Sequence, residues 1–388
     1  MKMAQRVEVH RVGCAGPGDL SEVARLIESG ELKPREIIAV MGKTEGNGCV
    51  NDHTRDFAAT QWCHLLAPHL DCSAQQVAQQ VALVMSGGTE GVLSPHFTIF
   101  SRRWEEVDDS ASTAKRLVLG IAHTRDFLPE ELGREAQIDA TAQAVRDAMA
   151  DAGITRNEEV HFVQIKCPLI TSARLNAALQ RGAVPMTHDT YESMAYSRGA
   201  SALGVAVALG ECDRAAIHDN EVLHNWQLFS ARASASAGIE LLGNVVIVLG
   251  EAAGALSPYR IGHTVMQDAV DAASVRHLLA HQLDLDVQAA EHGPAFAASR
   301  PQTANPHPAS RLVNLLAKAE ASPDGHVRGQ RHTMLGDSDI QATRHARAAV
   351  GGVLASIVGQ TALYVSGGAE HQGPPGGGPV AAIVRVNP

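Results

Sequence analysis

The sequence predicts an α/β protein of three structurally similar repeat units around a pseudo-threefold axis, with a central strand barrel surrounded by helices. Two observations carry that expectation. A strand–serine–strand segment occurs three times, and each copy follows the same order of strand, helix, lysine-bearing apolar segment and arginine-bearing helix. A chain of 388 residues is long enough for two or three domains. A unit that mixes strands with helices buries both most economically when the strands meet centrally and the helices cover them.

The serine segments fix the repeat. VALVMSGGTEG at 81–91 and TALYVSGGAEHQG at 361–373 each deliver Ser-Gly-Gly at the end of an apolar run. A weaker copy lies between them, where Ser236-Ala237-Gly238 followed by Glu240 aligns with Ser86-Gly87-Gly88 followed by Glu90. Each is followed by a further apolar run, HFTIF, NVVIVLG or PVAAIVRV, so each copy reads as strand, serine turn, strand.

The upstream elements repeat in the same order. VEVHRV, RLVLGIAH and YRIGHTV read as opening strands, and LSEVARLIESG, DATAQAVRDAMADAG and DAVDAASVRHLLAHQL carry helical apolar spacing. Apolar segments bearing Lys43, Lys166 and Lys318 come next, and then helices with an arginine near the start: Arg55, Arg198, and either Arg344 or Arg347. The units span 1–106, 107–253 and 254–388, with borders in the polar WEEVDDSAS and in EAAGALSP. One segment breaks the pattern. HGPAFAASRPQTANPHPAS, 292–310, is rich in Pro, Ala and Ser without periodicity, and reads as an exposed loop or disordered insertion.

Composition narrows the function classes. Apolar residues at 45% and charged residues at 19% are an ordinary globular balance, and aromatics at only 4% leave the core to small and branched aliphatic side chains. A net charge of −10 without a Lys/Arg run argues against nucleic-acid or anionic-membrane partners, which need a basic surface. With no apolar leader and no membrane-length apolar stretch, the expectation is a soluble cytoplasmic protein. The six cysteines lie in no CxxC spacing, so reduced thiols are expected.

A threefold arrangement would bring the three lysines, three serines and three arginines to one axis, forming a cavity of cations and hydroxyls. Serine needs a base to act as a nucleophile. A desolvated lysine with cations nearby loses its proton more readily and can be that base. Glycines after each serine free backbone N–H groups for a developing oxyanion. A single Ser-Gly-Gly is ordinarily a turn and a single Lys ordinarily solvated; the ordered threefold recurrence is what points to chemistry. MGKTEG resembles the end of a phosphate-binding loop, but Ile37 stands where the first glycine is required. The histidines show no paired metal-ligand spacing.

The segments MGKTEGNGCVND, VMSGGTEGVLSPH, FVQIKCPL, DTYESMAYSRGASALG, SASAGIEL, LAKAEASPDG, RHTMLGDSDI and YVSGGAEHQGPPGGGP together resemble the cyanuric acid hydrolase and barbiturase family. The resemblance spans nearly the whole chain except 284–310. It implies three units around a central site, hydrolysis of a cyclic amide with no catalytic metal, and a homotetramer. It implies Ser236 as nucleophile and Lys166 as its base. Ser86, Gly87, Ala237, Ser366, Gly367, Lys43, Lys318, Arg55, Arg198 and Arg347 become substrate-binding groups. It also implies a structural Mg²⁺ held by Glu320 and the backbone of Ala369, Gln372, Gly373, Pro374 and Gly377. Ala237, where the other units have Gly87 and Gly367, independently marks the middle unit as different. The expected reaction opens cyanuric acid to carboxybiuret. The alternatives are a barbiturase yielding ureidomalonate and a non-catalytic metabolite-binding protein of the same architecture.

Overall fold

The computed structural model describes residues 2–107, 113–285, 287 and 311–386, so the 292–310 insertion lies outside the described residues. The first stretch carries β1 (Lys2–Gly13), α1 (Ser21–Glu28), β2 (Ile37–Thr44), α2 (His53–Leu70), α3 (Ala74–Gln80), β3 (Ala82–Gly87) and β4 (His96–Val107). The second carries β5 (Lys115–His123), α4 (Glu135–Ala152), β6 (Val160–Pro168), α5 (Ser172–Gln180), α6 (Thr190–Ala208), β7 (Ala233–Gly238) and β8 (Val245–Ala253). The third carries β9 (Tyr259–Met266), α7 (Ala272–His277), β10 (Leu312–Ala319), the short pair β11 (His326–Val327) and β12 (Gln330–Arg331), α8 (Ala342–Val358), β13 (Tyr364–Gly367) and β14 (Gly378–Arg385).

Among the described residues the long strands form three four-stranded sheets with one connectivity: β1-β4-β2-β3, β5-β8-β6-β7 and β9-β14-β10-β13. In each, the lysine strand runs antiparallel to the last strand and parallel to the serine strand. The register breaks near the start of each lysine strand, at Ile37/Ala39, Val160/Phe162 and Leu312/Asn314.

Strand alternation gives each sheet two buried faces. One face meets the other sheets in a shared core, to which the three sheets contribute Met41 and Phe100, Leu119 and Phe162, and Leu316 and Tyr364. The opposite face lies under the unit's own helices. Trp62 and Leu66 of α2 cover the first sheet, Val145 and Val205 of α4 and α6 the second, and Val350 and Leu354 of α8 the third. The expected closed strand barrel does not form among the described residues, where no strand ladder joins one four-stranded sheet to another. The sheets meet through side chains of the shared core. No helix of the described residues is long and apolar enough to cross a membrane. All six cysteines are free thiols.

Candidate active site

The alternation that builds the shared core also aims the polar residues. Ala39 and Met41 face that core from β2, so Lys43, two residues on, points the same way at the strand's end. Phe162 on β6 and Leu316 on β10 set the same parity for Lys166 and Lys318. The parallel registers pair Lys43 with Ser86, Lys166 with Ser236 and Lys318 with Ser366. Three strand ends therefore deliver three lysines and three serines to one end of the shared core.

The three hydroxyls touch. Ser366 Oγ lies 3.2 Å from Ser86 Oγ and 3.0 Å from Ser236 Oγ. They line a compact cleft with Gly87, Ala237, Gly367, Arg55, Arg198, Arg347, Gly48 and Met194. The lysines stand behind the serines and do not form the cleft wall. Lys43 Nζ donates to Ser86 Oγ at 3.2 Å and to the Gly87 carbonyl at 3.4 Å. Lys318 Nζ donates to Ser366 Oγ at 3.3 Å and to the carbonyls of Ala235 and Gly367 at 2.8 and 3.0 Å. Lys166 differs. Its Nζ donates to the Met85 carbonyl at 2.7 Å and pairs with Glu240 at 3.2 Å, and among the described residues no hydrogen bond joins it to Ser236.

Burial sets the charge state of these lysines, since an ammonium removed from water is costly. Burial, reinforced by Arg347, holds the Lys43 pKa well below the ordinary lysine range. Burial and then Arg198 push Lys318 down to about 7. Burial also lowers Lys166, but Glu240 opposes it.

The arginines reach the cleft from three helices. Asp52 caps α2 by accepting from the Thr54 N–H, which sets Arg55 at the third helical residue. Arg55 donates to the carbonyls of Ala237 at 2.9 Å and Cys49 at 2.7 Å. Arg198 and Arg347 each make a two-pronged pair with a carboxylate: Glu370 at 2.7 and 2.5 Å, and Glu90 at 2.7 and 2.6 Å. Arg198 is the ninth residue of α6, well past the helix start that the sequence suggested. Arg347 lines the cleft, whereas the Arg344 side chain is 38% exposed and stands 3.5 Å from Glu90.

Glu90, Glu240 and Glu370 received no role from the sequence, yet each contacts a cleft arginine or its lysine. Their signal was available: each lies four residues after its serine. Gly48, Met194 and Asp52 carried no comparable mark.

Glu320 lies just past the end of β10 and is half-buried. Its carboxylate accepts the N–H groups of Ala369 and Ala321 at 2.8 and 3.1 Å. The 369–377 loop folds back beside it, tied by Gln372 Oε1 to the Ala235 N–H at 2.7 Å and by the Gly373 N–H to the Ser230 carbonyl at 2.9 Å. The Pro374 carbonyl accepts the Gly377 N–H at 2.9 Å. Burial and the neighbouring Glu370 push Glu320 up to about 7. The crowded carboxylates and the carbonyl-rich loop fit a hard cation of the Mg²⁺ kind. Among the described residues no group of three or more His, Cys, Asp or Glu could hold a metal.

The chain matches the family model for amidohydrolase ring-opening proteins over residues 8–385. It is 58% identical to a cyanuric acid amidohydrolase of Bradyrhizobium diazoefficiens, with 98% of each chain covered. It is 48% identical to a cyclic amide hydrolase of Azorhizobium caulinodans, covering 98% of this chain and all of that one. A solved cyanuric acid hydrolase superposes with a TM-score of 0.91 at 53% identity, covering 99% of this chain and 100% of the other.

Proposed function

The chain belongs to the ring-opening amidohydrolases, and from that premise we propose that it hydrolyses cyanuric acid to carboxybiuret with Ser236 as nucleophile and Lys166 as base. One observation carries the reading: three serine hydroxyls converge within 3.0–3.2 Å contacts, ringed by three arginines. Cyanuric acid has three equivalent carbonyls, so a cleft with a hydroxyl and a cation for each edge matches its symmetry. We place the three sheets as units 1–106, 107–253 and 254–388 about a pseudo-threefold axis through that cleft.

In the proposed reaction Lys166 takes the Ser236 proton as Oγ attacks a ring carbonyl. Donors around the cleft then stabilise the oxyanion. The proton passes to the departing ring nitrogen; Lys166 then takes a proton from the water that attacks the acyl-serine, the new carboxyl proton returns to Ser236 Oγ as it leaves, and the product departs as a carbamate anion with one proton left on Lys166. The glutamate pairs occupy the Nε and Nη2 edges of Arg198 and Arg347, leaving Nη1 donors for ring carbonyls. Lys43 and Lys318, lowered by burial, orient Ser86 and Ser366 for hydrogen bonding to the other two carbonyls.

Glu320 and the backbone of Ala369, Gln372, Gly373, Pro374 and Gly377 would hold Mg²⁺, which when bound neutralises negative charge and stiffens the loop beside the cleft. We also propose a cytoplasmic homotetramer, which light scattering checks. The deciding assay follows biuret formation from cyanuric acid beside turnover of barbituric acid. Faster turnover of barbituric acid would assign the chain to the barbiturases, and turnover of neither would refute an enzymatic role.

A further inference from the structure

The three serine turns hold their glutamates differently. The second residue after each serine is glycine, and the space its missing Cβ leaves is used by a charged group. At Gly88 an added Cβ would stand 2.5 Å from Arg347 Nη2, and at Gly368 2.6 Å from Arg198 Nε. At Gly238 the nearest atom is instead Glu240 Oε2, at 2.3 Å. In the first and third turns an arginine fills the space and clamps Glu90 or Glu370. In the middle turn Arg55 is committed to the carbonyls of Ala237 and Cys49, and Glu240 folds over Gly238 to reach Lys166 Nζ at 3.2 Å.

Glu240 also faces outward. Lys166 is 1% exposed, whereas the Glu240 side chain is 20% exposed. Glu240 lines a second cleft, separate from the serine cleft, between α2, α3 and the 240–245 turn, with Ala59, Cys63, Ala78 and Leu83. We propose that Glu240 is the positioning residue of the middle pair, fixing the Lys166 ammonium and linking it to solvent through the α2–α3 cleft. The inference rests on the reading that Ser236 and Lys166 open the ring. A neutral ring plus water gives a carbamate anion plus one proton, so each turnover must export a proton from a sealed lysine. The charged and titratable groups facing this pair are Arg55 and Asp56 from α2, His64 in the outer cleft and Cys167 on β6.

The test compares Glu240→Gln, Gly238→Ala, Ala78→Trp and Ser236→Ala with Glu90→Gln as a clamp control, each by kcat, KM and the pH profile of kcat/KM. Glu240→Gln should lower kcat at least tenfold with KM within about twofold. Because Glu240 raises the Lys166 pKa against burial, its loss should also move the acid limb to lower pH. Gly238→Ala, which displaces the carboxylate without removing it, should move the limb the same way. Ala78→Trp, which fills the outer cleft, should lower kcat threefold or more and leave KM unchanged. A Glu240→Gln profile with an unmoved acid limb, or a loss no different in kind from Glu90→Gln, overturns the positioning role. Unchanged kcat in Ala78→Trp overturns the solvent link. If Ser236→Ala keeps its turnover, the dyad assignment fails and this inference with it; if Ser236→Ala is inactive and Glu240→Gln is wild-type, only this inference fails.

Discussion

Alanine at each of the three serines should separate the nucleophile from its neighbours. Ser236→Ala removes the attacking oxygen, and losing a covalent nucleophile costs on the order of 10⁴-fold in kcat or more. Ser86→Ala removes contacts to Lys43 and Ser366, but Lys43 keeps the Gly87 carbonyl at 3.4 Å. The loss is therefore that of a buried hydrogen bond, about 1–3 kcal/mol, or roughly 5- to 150-fold in kcat/KM. Ser366→Ala should fall at the upper end of that range, because Ser366 Oγ contacts Ser86, Ser236 and Lys318 at 3.2, 3.0 and 3.3 Å. Its absence leaves the Ser236 hydroxyl without that anchor. Steady-state kinetics on cyanuric acid, with circular dichroism to verify folding, measures all three. An inactive Ser86→Ala beside a merely slowed Ser236→Ala would refute the assignment. It would move the working pair to the first unit, where Lys43 already donates to Ser86.

Three further outcomes are expected. Gly87→Ala would place a Cβ 1.7 Å from Asp52 Oδ2, so the α2 cap must shift; thermal melts should show a loss of about 1–3 kcal/mol, and unchanged stability would mean Asp52 is free to move. Lys318 titrates at about 7 when folded and in the ordinary lysine range when unfolded, so the unfolded chain binds the extra proton between those values and stability from this group rises with pH there. Lys318→Met should flatten that rise by up to about 1.4 kcal/mol per pH unit in urea unfolding across pH 7 to 10, and an unaltered slope refutes the neutral buried lysine. EDTA should lower the melting temperature while turnover of the still-folded protein persists, because the proposed Mg²⁺ loop is beside the cleft and not at the serines. Immediate loss of turnover in folded protein would instead make the metal catalytic.

The sequence by itself determined which residues could meet. Period-two alternation places Lys43, Lys166 and Lys318 on the same face as the core residues Met41, Phe162 and Leu316, and the parallel strand that follows brings Ser86, Ser236 and Ser366 opposite. Those are consequences of strand geometry, so the three serines, the Gly87 and Gly367 that follow two of them, and the arginine-bearing helices were legible as a repeated order, whereas Gly48 was not. Tertiary structure alone decided what each group touches. The choice of Arg347 over Arg344 depends on which face of α8 lines the serine cleft, since both side chains reach Glu90. The open sheets in place of a barrel follow from side chains filling the space between them. The partners of Glu90 and Glu370 are arginines 257 and 172 residues away, whereas Glu240 turns to Lys166. Spacing along a chain fixes periodicity within an element. Contacts between elements are fixed by how sheets and helices pack, which gives three nearly identical motifs three different sets of neighbours.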